Sequence, residues 1–244
     1  MKNSAPSECQ MGLKEDLQTE VDEIVRVQRW TLRDGQVVPE PEDLQLGNDG
    51  INLEATVLYA DISGSTQLVD DHNPHFAAEV YKTYLSCGAS IIKNYNGVIT
   101  AYDGDRVMGV FIGDRKNTNA VTSALKINAA VSDIIKPALD AQYPTSGYTL
   151  KHVIGIDTSK LLVGRIGVRN DNDLVWIGRA ANYAAKLSSL SNKYAIYITD
   201  SVYGKIADTA KYGDDSNTQN MWTKLTWTQM GNMTIYGSTW QWNL

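Results

Sequence analysis

The sequence predicts an α+β fold, with an antiparallel sheet carrying its helices on one face. Two observations carry that prediction. Short apolar, β-branched runs alternate with two long stretches of helical spacing, in the order strand, helix, strand, strand, helix, strand. Asp103-Gly104-Asp105 stands between the second and third runs, a tight-hairpin signal that makes those two strands neighbours. The order is the ferredoxin-like βαββαβ arrangement, which puts the first strand at the sheet centre beside the hairpin.

Each element follows from its residues. Leu13, Leu17, Val21, Ile24 and Val25 have helical spacing and predict an amphipathic N-terminal helix over 12–30, after a disordered 1–10. RDGQVVPEPEDLQLGNDG (33–50) is rich in Pro, Gly and acid and reads as a connector, so 1–50 precedes one domain over 51–244. INLEATVLYA (51–60) is the first strand, and 74–95, with Phe76, Val80, Tyr84, Ala89, Ile91 and Ile92, the first long helix. GVITAYD (97–103) and RVMGVFIG (106–113) form the hairpin, and NTNAVTSALKINAAVSDIIKPAL (117–139) the second long helix. TLKHVIGID (149–157), LLVGRIG (161–167) and LVWIG (174–178) predict three short strands. RAANYAAKLSSL (179–190) predicts a helix, AIYIT (195–199) a strand and DSVYGKIAD (200–208) a short helix. MWTKLTW (221–227) and MTIYGSTWQW (233–242) close the chain as a C-terminal β-hairpin, packed by the tryptophans after residue 220.

Bulk properties exclude several classes. A net charge of -6 lacks the clustered Lys and Arg that sequence-independent nucleic-acid binding requires. No apolar run approaches the roughly 18 residues of a membrane span, and the N-terminus lacks the apolar core of a signal peptide. Cys9 and Cys87 make no disulfide framework. A cytoplasmic protein is expected, with no membrane or nucleic-acid partner. No P-loop or dinucleotide-binding glycine motif occurs, and His72, His75 and His152 lack metal spacing.

Chemistry gathers at LYADISGST, where an apolar strand ends on Asp61 and a small, hydroxyl-rich turn follows. In a ferredoxin-like sheet the end of the first strand and the hairpin turn share an edge, which brings Asp61 near Asp105. Two close carboxylates repel unless a cation lies between them, and hard oxygen ligands suit Mg²⁺ or Mn²⁺ with phosphate oxygens completing the sphere. The turn Ser63-Gly64-Ser65-Thr66 offers backbone N–H groups to a triphosphate. From the residues alone, Asp61 reads equally as a helix N-cap, and Asp103 and Asp105 as turn formers.

Four motifs in order add to this. LYADISGST resembles the first metal motif of class III nucleotidyl cyclases, and YDGDRVMGVF the second. VIGIDTSKLLVGRIG is similar to the family's glycine-rich segment, and IGRAANYAAKL to its asparagine- and arginine-bearing helix. The resemblance implies two divalent metals, Mg²⁺ or Mn²⁺, held by Asp61, Asp105 and the Ile62 carbonyl. It implies that Asn182 orients the ribose and that Lys186 stands where the family carries its transition-state arginine. It further implies a homodimer with composite sites.

The departures carry information. Lys186 keeps the charge of an arginine but loses its bidentate fork. Ala101 and Val175 occupy the two places where adenylyl and guanylyl cyclases carry polar base readers. The family's late phosphate-binding lysine has no counterpart, which leaves Arg106, Arg165 or Arg169 to supply its charge. LEATVLYADISGSTQLVD, AAEVYKTYL and ITAYDGDRVMGVFIGDRKNT resemble the pyrimidine cyclases of bacterial anti-phage Pycsar systems. That implies UTP or CTP as substrate and a separate effector that reads the cyclic nucleotide. Tyr59 lies two residues before Asp61 on the same strand face, where a phenol would fill the space a purine needs; a core aromatic is the other reading. Arg106 is expected on the face opposite Asp105, as a salt bridge or turn anchor.

Overall fold

The computed structural model describes residues 8–25, 30–168, 171–213 and 218–244. Its helices and strands run α1 (Glu8–Val25), β1 (Thr31–Asp34), β2 (Asp49–Ile62), α2 (Ser65–Asp71), α3 (Pro74–Asn94), β3 (Val98–Asp103) and β4 (Arg106–Phe111). Then come α4 (Lys116–Ala130), α5 (Lys136–Gln142), β5 (His152–Val168), β6 (Asp171–Ile177), α6 (Arg179–Ser188), β7 (Ile196–Thr199), α7 (Asp200–Tyr203), β8 (Thr223–Trp227) and β9 (Met233–Ser238). The residues divide into two compact units, the larger made of Gln36–Val38, Leu53–Leu161 and Ile177–Leu244.

In the larger unit the strands lie in the order β3-β4-β2-β5-β7-β9-β8, so β2 is central and flanked by the hairpin. The order β3-β4-β2-β5 is the ferredoxin-like core, as the sequence predicts. Pleating sends Leu58, Ala60 and Ile62 of β2, with Val107 and Phe111 of β4, toward α3 and α4. There they meet Val80, Tyr84, Ile92, Ala120, Ala124 and Leu125 in the main core. A π-helical turn, Val131–Ile135, joins α4 to α5, so one helical run spans the predicted second long helix.

The smaller unit contains α1, β1, Pro39–Asn52 and Leu162–Trp176. β1 pairs in parallel with the start of β2. Arg33 joins them by bonding the Asp49 carboxylate and the Asp43 carbonyl, each at 2.5 Å. The predicted connector 33–50 therefore holds the end of one strand and the start of another. α1 begins at Glu8, inside the stretch expected to be disordered, and ends at Val25; 1–7 and 26–29 lie outside the described residues. Among the described residues no helix is long and apolar enough to cross a membrane.

Other elements differ from expectation. Two strands predicted over 149–157 and 161–167 are the single strand β5. The polar Asp157-Thr158-Ser159-Lys160 reads as a break, yet Thr158 donates to the Ala55 carbonyl at 3.1 Å and Asp157 pairs with Arg179. The sheet is not wholly antiparallel, because β7 pairs with β5 in parallel. Nor do all helices share a face: Leu187 of α6 joins Val153 and Tyr197 in a second cluster with Trp227, away from Ile154, Ile156, Ile196 and Ile198 in the main core. α7 is a single turn, and β9 stops at Ser238, four residues before the predicted end. Trp240 and Trp242 pack against the main core instead of the hairpin.

α6 lies so close to β5 that a Cβ on Gly155 would sit 2.1 Å from the Ala184 carbonyl oxygen and 2.5 Å from the Ser188 nitrogen. Backbone cannot yield as a side chain does. Gly155→Ala is therefore expected to lift α6 and destabilise the protein by about 1–3 kcal/mol. Calorimetry should show the melting temperature lowered by several degrees, by roughly 2–4 °C per kcal/mol.

Candidate active site

Strand pairing assembles the site. Across β2 and β4, Asp61 stands opposite Arg106 and Tyr59 opposite Met108. β3 adds Asp103 opposite Arg106 and Ala101 opposite Met108. Cross-strand partners share a face, so Tyr59, Asp61, Ala101, Asp103 and Arg106 form one patch on the side away from α3 and α4. Arg106 is thus a neighbour of Asp61. Strand alternation does not run through Asp105, a turn residue, so it restarts at β4 and sets Arg106 on the Asp61 face, not opposite the carboxylates as the sequence predicts.

The hairpin turn is two residues, Gly104 and Asp105, with Gly104 in the left-handed region at φ 61°. It folds the Asp105 carboxyl back to within hydrogen-bonding reach of Asp61. Burial first, then the charge of Asp105 and its hydrogen bond, push the Asp61 carboxyl up to about 7, while Arg106 opposes the rise. Arg106 itself is held on two sides. Its guanidinium donates to Asp103 at 2.5 Å and lies 5.5 Å from the centroid of the Tyr59 ring. The salt-bridge reading of Arg106 is correct, and the same side chain also braces Tyr59.

A cleft of about 440 Å³ opens beside Arg106, lined also by Lys186, Ser189, Trp227 and Met230. Asn182 and Lys186 are exposed and one turn apart on α6, so they share a face. The Lys186 ammonium lies 3.6 Å from Met230 Sδ. Each chain thus brings its own Lys186 to the cleft that holds its own Arg106.

An unforeseen ion pair seats α6. Arg179, its first residue, approaches the fully buried Asp157 carboxylate at 3.0 Å and donates to the Thr158 carbonyl and the Ser201 hydroxyl. Thr199 donates a further bond to Asp157 at 2.5 Å. The sequence held a signal for this: a carboxylate inside the apolar run VIGID requires a partner if the strand is buried.

After Asp61 the chain turns at once. The Ile62 side chain is buried, which leaves its carbonyl as the group it can offer. The Ser63 amide donates to the Lys151 carbonyl at 2.9 Å, and the Ser63 hydroxyl accepts from Asn192 at 3.3 Å. Gly64 takes φ 78°, a conformation that favours glycine, and α2 begins at Ser65. Ser65 is hydrogen bonded to Tyr81, while Gly64 and Thr66 are exposed. Val175 lies on β6 in the smaller unit. There Arg165 donates to Asn172 and to the Leu44 carbonyl, and Arg169 lies outside the described residues.

Among the described residues no cluster of three or more His, Cys, Asp and Glu forms a closed metal cage. Asp61 and Asp105, two carboxylates within reach of each other, with the Ile62 carbonyl next in the chain, offer only oxygen donors. Such a set fits a hard divalent cation that keeps waters and substrate oxygens as its other ligands.

The family model that this mixed α+β chain matches makes it a nucleotidyl cyclase by class. Residues 52–236 match the model of the adenylate and guanylate cyclase catalytic domain, and the chain belongs to that family. A uridylate cyclase of Xanthomonas perforans is 52% identical over 235 residues, covering 96% of this chain and 100% of that protein. Another, of Burkholderia cepacia, is 51% identical with the same coverage. The guanylyl cyclase Cya2 shares the fold at a TM-score of 0.66 and 19% identity, over 80% of this chain and 95% of that one. The adenylyl cyclase CyaB of P. aeruginosa does so at 0.62 and 23%, over 78% and 95%.

The raised Asp61 carboxyl has a stability consequence whose sign is definite. Between the ordinary value of 3.8 and about 7, the unfolded chain has lost a proton that folded Asp61 retains. Stability from this group therefore falls as pH rises through that window. Asp105→Asn removes the like charge, brings the Asp61 value down and flattens the fall. Melting temperatures of both proteins across pH in metal-free buffer check this.

Proposed function

We propose that the protein is a pyrimidine nucleotide cyclase, converting UTP, or CTP, to the 3′,5′-cyclic nucleotide and pyrophosphate. One observation carries the reading: Asp61, within hydrogen-bonding reach of Asp105, stands on the same strand face as Tyr59, whose ring is braced by Arg106. The base assignment draws support from the relatives named uridylate cyclase, which are alike over their whole length. It also draws on Ala101 and Val175, apolar where purine cyclases carry polar base readers. Specificity between bases rests on hydrogen-bonding groups that are penalised when unpaired. A pocket without purine readers and narrowed by a phenol disfavours purines.

In this reading Asp61, Asp105 and the Ile62 carbonyl hold two divalent cations, Mg²⁺ or Mn²⁺. When bound, these supply the positive charge that acidifies the ribose 3′-hydroxyl and neutralises the α-phosphate. The chain's residues do the positioning. Ser63, Gly64, Ser65 and Thr66 carry the polyphosphate past the carboxylates, and Tyr59 sets the room left for the base. Asn182 orients the ribose, and Lys186 places its ammonium against charge that grows on the reacting phosphate. The family resemblance further implies a homodimer with two composite sites, in which α6 would serve the carboxylates of a partner subunit. The cyclic nucleotide then serves as a signal for a separate effector in anti-phage defence.

Purified protein incubated with Mn²⁺ and each of the four nucleoside triphosphates should yield cyclic UMP or cyclic CMP as the dominant product. Dominant cyclic AMP or GMP removes the pyrimidine assignment, and no turnover at all leaves a silent binding domain. Asp61→Asn and Asp105→Asn should each cost at least about 10²-fold in kcat with an unchanged circular dichroism spectrum. Near-full activity in either variant sinks the two-metal reading. Mixing Asp61→Ala with Asn182→Ala chains should restore activity through one good site per heterodimer. Heterodimers that form without recovering activity exclude shared sites.

A further inference from the structure

We infer that Lys151 is the cation that binds the polyphosphate end of the substrate, in a cavity next to the carboxylate pair. The inference deepens the cyclase reading and rests on it. The Ser63 amide donates to the Lys151 carbonyl, which ties the end of β2 to the residue before β5. Lys151 is thereby fixed beside the turn that follows Asp61 and Ile62. Two strand residues cover about 6.6 Å, comparable to the reach of a triphosphate from its first phosphorus to its last.

A cavity of about 410 Å³ opens at that point, and Ser63, Gly64, Thr149, Lys151, His72 and Asn192 line it. At about 30 Å³ per water, it has room for two phosphoryl groups and their remaining hydration. The lining suits an anion. Lys151 brings a full positive charge, Asn192 an amide already oriented on Ser63, and Ser63 and Thr149 their hydroxyls. Asp71 also lines the cavity, but it ends α2, about 9 Å along the helix from Ser65.

Other cations near the carboxylate pair and on α6 are already engaged. Arg106 is engaged by Asp103 and Tyr59, and Arg179 by Asp157. Lys186 belongs to the other cleft, against Met230. Among the described residues no carboxylate lies within ion-pairing distance of the Lys151 ammonium. The sequence could not single it out, because one lysine before a strand has no pattern, and only the Ser63 bond brings it to the turn.

The test is calorimetric titration of inorganic tripolyphosphate with Mn²⁺ into the full chain, alongside steady-state kinetics with UTP. Lys151→Ala is expected to weaken tripolyphosphate binding and raise KM, each by about tenfold or more, the worth of one charge-assisted hydrogen bond. kcat should change less than KM. Lys151→Arg should keep both values within a few-fold, which separates lost charge from lost fold. Tripolyphosphate that does not bind the wild type, or binds Lys151→Ala equally well, overturns the inference. Lost tripolyphosphate binding in a protein that turns over no nucleotide leaves the anion site standing and removes the cyclase reading. An active enzyme indifferent to Lys151→Ala does the reverse.

Discussion

Asp61 and Asp105 are held within hydrogen-bonding reach of each other, although like charges at that range resist ionising together. The fold imposes this. Asp61 is placed by the register of β2 against β4, and Asp105 by the two-residue turn that joins β3 to β4. Burial worsens the repulsion, since the Asp61 carboxyl is pushed up first by its low-polarity surroundings and only then by its neighbour. On the proposed two-metal reading, a cation between the carboxylates would relieve that repulsion. The helical layer beneath provides the rigidity: Leu58, Ala60, Ile62 and Val107 are all but fully buried against α3 and α4.

The opposite side of the sheet is organised by polar contacts more than by volume. α6 is drawn onto β5 by the absence of a side chain at Gly155, then locked by Arg179 on Asp157. Burying a carboxylate completely is costly unless it is paired and hydrogen bonded. Asp157 meets that condition with Arg179 and Thr199. Asn182 and Lys186 depend on that seating, because they project from the helix it secures. Two clefts result, one between Arg106 and Lys186 and one beside Lys151, and both open near residues of the strand that carries Asp61.

Legibility in the sequence followed the physics of each signal. Elements with long apolar periodicity were readable to within a few residues, as with α3 and the β3–β4 hairpin, because burial on one face leaves a repeating mark. β5 was misread as two strands, since Asp157 and Thr158 look like a break until their partners on other elements are known. The connector concealed β1, whose pairing depends on Arg33 bonding Asp49, a contact 16 residues away. At the site, Asp61, Asp105 and the Asn182–Lys186 spacing were visible as motifs. Arg106 on Tyr59, Arg179 on Asp157 and Lys151 beside Ser63 were not, because each is a tertiary encounter between residues with no local pattern.

The bracing of Tyr59 ends at the protein surface. Its ring is supported by Arg106, and Arg106 by Asp103, whose side chain is 68% exposed. An exposed ion pair is weak and screened by salt, so the outermost support is the one most easily exchanged in evolution. Natural drift at Asp103 can alter how firmly the phenol is held without changing Tyr59 or Arg106. On the proposed reading of Tyr59, base preference would be adjustable from the rim inward, by substitutions that leave the carboxylate pair and its fold intact.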